Sequence, residues 1–222
     1  MFSKEILAMI MSNDSIEKLA FLLLGWLLGL LAPVIVEKIK LTRENKMGRI
    51  AIVSELRDLG CMLSLAAYGV RINQGKIDRK FLEWLKDDLE KYASSEEFQL
   101  FIPSLDKQLL SSDKDLKELG ILYPREGKGT MLQYYPVPLL DARVSALWSF
   151  DTSFQRNLLS IRQSLALLDD LVDRSRKYFD LTFTKLEGDN YRIVSENLKE
   201  SCFVYAERAQ KTVNMIRKLN ET

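Results

Sequence analysis

Gly127-Lys128-Gly129-Thr130 is the segment that first suggests chemistry, because glycines around a lysine can turn backbone amides toward a phosphate. A phosphate loop requires Gly, four residues, then Gly-Lys-Ser/Thr between a strand and a helix. Here Leu122 occupies the first glycine position, Gly129 separates Lys128 from Thr130, and no strand pattern precedes them. Nucleotide binding is not expected. Asp169, Asp170 and Asp173 form a second group, a set of carboxylates one turn apart that could attract a metal ion. They lack a fourth oxygen ligand at helical spacing, and Arg174, Arg176 and Lys177 follow at once, so a solvated face of charge pairs is the expected role. Cys61 and Cys202 belong to no C-x-x-C spacing and are expected as free, packed thiols.

The chain contains no histidine, which removes the commonest general base near neutral pH and the commonest metal ligand. Thirty-two Lys plus Arg stand against 31 Asp plus Glu, so no strong field favours nucleic acid. These observations predict no catalytic residues, no cofactor, no metal and no small-molecule substrate. A membrane-bound hydrolase or nuclease would need acids scattered in sequence to converge in space.

The element that positions everything else is Leu19–Val36, LAFLLLGWLLGLLAPVIV, in which nothing is charged and the Trp26 indole N–H is the one polar side-chain group. As a helix its eighteen residues reach ~27 Å, close to the hydrocarbon thickness of a bilayer. The leader before it is mixed in charge, and Ala32 is followed by Pro33 and further apolar residues, unlike a cleaved signal. A single transmembrane anchor is predicted. Lys38, Lys40, Arg43, Lys46 and Arg49 follow it, whereas Lys4 and Lys18 precede it, so the positive-inside bias puts the amino terminus outside and the remainder in the cytoplasm of the cell. The same basic residues lie where anionic headgroups would be, although a topology signal alone explains them. Gly25, Gly29 and Ala32 share one small-residue face of the span, suited to close helix–helix approach and self-association.

Around the anchor the domain reading is a short extracytoplasmic segment over 1–15, the anchor over 16–40, and a cytoplasmic helical bundle over 41–222 with a short-helix and loop region at 76–138. Phe2, Ile6, Met9 and Ile10 fit a surface helix or a frayed end, and Asp14 or Ser15 can cap the anchor. Ile52, Leu56, Leu59, Leu63, Ala66 and Val70 alternate four and three, a heptad seam ending near Asn73-Gln74-Gly75. Asp78 can cap a helix carrying Phe81, Leu85 and Leu89, and Ser95, Ser104 and Ser112 can start three short ones, the last stopping at Gly120.

Tyr123 to Leu139 is rich in Pro, Gly and aromatic residues, so an extended connection is expected there. Its Tyr134, Tyr135, Pro136 and Pro138 are the candidates for a partner-docking loop. From about Asp141 to Phe183 the pattern predicts uninterrupted helix, with Phe154, Leu158, Ile161, Leu165, Leu168, Val172, Ser175 and Phe179 as a second seam. Glu187-Gly188-Asp189-Asn190 is the turn before a third, through Leu198, Cys202, Tyr205, Ala209, Thr212, Ile216 and Leu219. Arg208, Lys211, Arg217 and Lys218 in that helix suit its dipole.

The fold class expected is therefore all-α: a single N-terminal transmembrane helix continuing into an antiparallel cytoplasmic bundle with an inserted short-helix region. The function expected is that of a non-catalytic, single-pass scaffold that binds a protein partner or itself at the bilayer. The alternative is an oligomerising, membrane-disrupting effector, toxin-like or defensive, restrained by its bundle.

Overall fold

The structure is a computed structural model that describes residues 13–93, 96–122, 131–185 and 188–220. It is all-helical, with no strand among the described residues. In chain order the elements are α1 (Asn13–Asn73), α2 (Arg79–Tyr92), α3 (Glu96–Gln99), α4 (Ile102–Leu110), α5 (Asp113–Leu122), α6 (Pro138–Ala142), a 3₁₀ turn (Val144–Ser149), α7 (Thr152–Leu181) and α8 (Asn190–Asn220). The chain divides into two compact units, Met1–Gly48 and Arg49–Thr222.

In the first unit, α1 carries the apolar stretch and is one helix long and apolar enough to cross a membrane, near the amino terminus. Its large side chains are exposed, Leu22 by 75% and Trp26 by 63%. The helix runs through Pro33. It is already helical at Asn13, so Asp14 and Ser15 lie inside it and not at its cap. Residues 1–12, with Phe2, Ile6, Met9 and Ile10, lie outside the described residues.

The second unit is built on the three seams. Ile52, Leu56, Leu59, Leu63, Ala67 and Val70 of α1 join Phe154, Leu158, Ile161, Leu165, Leu168 and Val172 of α7 in one core. Cys202, Tyr205, Ala209, Ile216 and Leu219 of α8 complete it. The seam of α1 differs from expectation at one position, where Ala67 is fully buried and Ala66 only half-buried. Ile216 faces Gly60, Gln210 accepts from Arg71 at 3.2 Å, and the Lys199 carbonyl accepts from Gln74 at 2.7 Å. Ser164 and Thr212 share a buried hydroxyl hydrogen bond of 2.7 Å between α7 and α8.

The helix ends have local causes. Gly75 takes the left-handed conformation at φ 68°, where glycine pays no Cβ penalty. Around it the Lys76 N–H reaches the Arg71 carbonyl at 2.8 Å and the Gly75 N–H that of Ile72 at 3.1 Å, a Schellman stop for α1. The Asp78 carboxylate accepts the Phe81 N–H at 2.8 Å and starts α2. Ser112 and Asp115 exchange reciprocal capping bonds at the start of α5, which continues past Gly120 to Leu122. The other two serine starts differ: Pro103 in the first turn begins α4 at Ile102, leaving Ser104 inside it, and Ser95 lies outside the described residues.

One further expectation is corrected. The helix predicted from Asp141 to Phe183 is broken into α6, the 3₁₀ turn and α7. Asp151 adopts extended backbone, and its carboxylate accepts the Phe154 N–H at 2.8 Å, so a new helix starts there. The Leu147 carbonyl receives the Phe150 N–H at 3.0 Å, tightening the preceding turn to 3₁₀.

Candidate functional site

The three sets of site residues foreseen in the sequence occupy three different settings. Gly25, Gly29 and Ala32 lie in the first unit, all exposed, and a Cβ added at Gly25 or Gly29 would meet nothing within 4 Å. With glycines four residues apart, a second helix can approach this face with little side-chain bulk between the backbones.

Lys38, Lys40, Arg43 and Lys46 are also exposed on α1. Lys40 lies 3.9 Å from Glu44, a weak i, i+4 pair. Arg49 is committed elsewhere. Its guanidinium bonds Asp151 at 3.2 Å and lies 4.3 Å from the centre of the Phe154 ring, so it ties α1 to the start of α7.

The aromatic loop is fastened to α7 and α1. Tyr134 donates its hydroxyl to the Asp173 carboxylate, and Arg176 stacks 4.4 Å above its ring. That hydrogen bond is the main cause of the raised Tyr134 pKa. Tyr135 is half-buried, and burial raises its phenol pKa. Pro138 opens α6, whose free amides at Leu139 and Leu140 both donate to the Glu55 carboxylate at 2.9 Å. Gly127, Lys128, Gly129 and Thr130 lie outside the described residues.

A cleft of about 380 Å³ opens between this loop and α7. Pro136, Val137, Leu159 and Ala166 give it apolar walls, and Tyr135, Asp141, Arg162 and Asp169 its polar groups. Asp141 and Arg162 pair at 3.1 Å. Burial, then the charges of Asp173, Asp170 and Asp141, raise the Asp169 pKa. Among the described residues no group of three or more acidic or cysteine side chains is placed to hold a metal ion.

Cys61 and Cys202 are buried in the core. Burial, aided by Asp88, pushes the Cys61 thiol up to about 12, and burial alone pushes Cys202 up to about 11. Neither is a poised nucleophile.

Sequence reasoning missed the buried polar cluster. Asp88 is 1% exposed, accepts the Ser64 hydroxyl at 2.5 Å and receives Arg217 Nε at 2.7 Å. Arg217 also donates to the Trp84 carbonyl at 2.9 Å and stacks on the Trp84 ring at 5.0 Å. A signal was present, because Asp88 continues the four-three spacing of Phe81 and Leu85, a charged residue on the apolar face of α2. Tyr205 was foreseen as a seam residue, but its buried hydroxyl has no hydrogen-bond partner among the described residues.

Comparison of the chain with protein-family models, with curated proteins and with solved structures gives no match.

Proposed function

We propose that this chain is a single-pass membrane protein with its amino terminus outside, whose cytoplasmic region is an antiparallel helical interaction module without catalytic activity. It acts as a scaffold at the bilayer, binding a protein partner or associating with itself, the latter through the face of Gly25, Gly29 and Ala32. The observation that carries this reading is the eighteen-residue uncharged stretch of α1, helical and with none of it buried. Burying so many exposed leucines in lipid relieves a hydrophobic cost of roughly 1.5–3 kcal/mol for each large side chain.

The test is in-membrane cross-linking of the full chain against Gly29→Ile, combined with membrane potential and terminal accessibility in intact cells. A dimer or higher oligomer in the parent, lost in the variant, with polarised cells and a shielded carboxy terminus, supports the scaffold. Depolarisation by the parent alone moves the reading to an oligomerising effector of the bilayer. A span that leaves with the soluble fraction overturns both.

A further inference from the structure

Where α1 leaves its apolar stretch it stays one unbroken helix, and residues 37–44 are exposed. At ~1.5 Å per residue, Lys38 stands ~3 Å beyond Val36, Lys40 ~6 Å, Arg43 ~10 Å and Lys46 ~15 Å. A headgroup layer occupies roughly 5–7 Å outside the hydrocarbon of each leaflet. Helical side chains lean toward the amino-terminal end of their helix, which for these residues is the side of the span. Long basic stems therefore bring the charges of Lys38, Lys40 and Arg43 back to headgroup level, while Lys46 starts about one Debye length outside it.

The charges around the helix are sorted. Glu37 and Glu44, seven residues apart, share one face, and Lys40 lies beside it, 3.9 Å from Glu44. Lys38, Arg43 and Lys46 fall on the rest of the circumference and make no ion pair among the described residues. Arg49, the fifth basic residue, is held by Asp151 and the Phe154 ring. We propose that Lys38 and Arg43, with Lys46 at the outer margin, bind the headgroups of anionic phospholipids in the leaflet through which α1 leaves the bilayer. Ammonium and guanidinium donors at that depth are complementary to a phosphate that keeps its negative charge. The proposal rests on the reading of α1 as a membrane span and names the lipid beside it. It differs from a topology signal, which counts basic residues near the span whatever their depth or face.

The test reconstitutes the full chain at low ionic strength in phosphatidylcholine vesicles carrying a trace of nitroxide-labelled phosphatidylglycerol or phosphatidylcholine. Both leaflets are alike, so the direction of insertion does not enter. Electron paramagnetic resonance gives the share of each labelled lipid that is slowed beside the protein. The expected result is a roughly fivefold preference for phosphatidylglycerol, the equivalent of one cation at headgroup level, abolished at ~1 M salt. Lys38→Gln/Arg43→Gln should remove it, and Lys46→Gln should leave most of it. Equal slowing of the two lipids by the parent, a preference untouched by the double substitution, or one that Lys46→Gln alone removes overturns the site. No slowed lipid of either kind overturns the span as well, so a failed site and a failed membrane reading give different spectra.

Discussion

Arg217 and Asp88 meet inside the protein, Nε to Oδ1 at 2.7 Å, with the aspartate almost fully enclosed. The Ser64 hydroxyl on the other carboxylate oxygen makes this a junction of α1, α2 and α8. Removing one partner of a buried pair strands the other charge, at a cost of ~3–5 kcal/mol, whereas replacing both with apolar groups is often close to neutral. Arg217→Met is expected to lower unfolding stability by ~3–5 kcal/mol, and Asp88→Leu/Arg217→Met by much less. Denaturant titration of both proteins measures the difference. Equal losses in the single and double variants would show that shape, not charge, holds the junction.

Glu55 holds the amides of Leu139 and Leu140 as a cap supplied from another helix. Glu55→Ala should cost ~1–2 kcal/mol, with Glu55→Gln between it and the parent because an amide has one acceptor oxygen. Hydrogen exchange at Leu139 and Leu140 should quicken in the same order. Unchanged protection in the alanine variant would remove Glu55 from this role.

Asp151 performs two tasks, capping α7 and pairing with Arg49. The pair is largely exposed and is worth ~0–1 kcal/mol, whereas the cap is worth ~1 kcal/mol. Asp151→Asn, which keeps a capping oxygen, should therefore be milder than Asp151→Ala. Thermal unfolding distinguishes them, and an equal drop in both would place the weight on Arg49.

Burial raises both thiols above their ordinary value of 9.0, which favours the neutral form in the folded protein. Below pH 9 the folded and unfolded states both hold the protons, and stability is unaffected. Above it the unfolded thiols ionise first, so stability falls between pH 9 and about 12 for Cys61, and between pH 9 and about 11 for Cys202. Labelling with a thiol reagent at pH 8 should be slow until denaturant is added. Rapid labelling of the native chain would contradict the burial.

What was legible in the sequence was periodic. The positions of α1, α7 and α8 that repeat at four and three are those that pack, because burial of one face is what such spacing encodes. Asp78, with its side chain one turn before an apolar run, was equally plain. The break at Asp151 was not, since Val144, Leu147 and Phe150 keep an apolar rhythm across a 3₁₀ turn and periodicity alone does not show a cap. Ala66 and Ala67 are adjacent and alike, and packing decided between them.

The candidate site was legible in parts. Tyr134, Tyr135 and Pro136 were singled out for their composition, and Asp169 and Asp173 for their spacing. That a loop aromatic and a helix carboxylate would bond across 39 positions is tertiary information. Glu55 gave no local signal, because the amides it serves lie more than eighty residues away.

That distance sets an order of events. Five residues cannot hold a helix in water, where nucleation costs more than one turn returns. The α6 segment therefore waits for α1 to present Glu55, and closing so long a loop comes after the local helices have formed. During synthesis, α1 is ready well before its client segment is made, and the wall of the cleft is among the last parts of the molecule to be set.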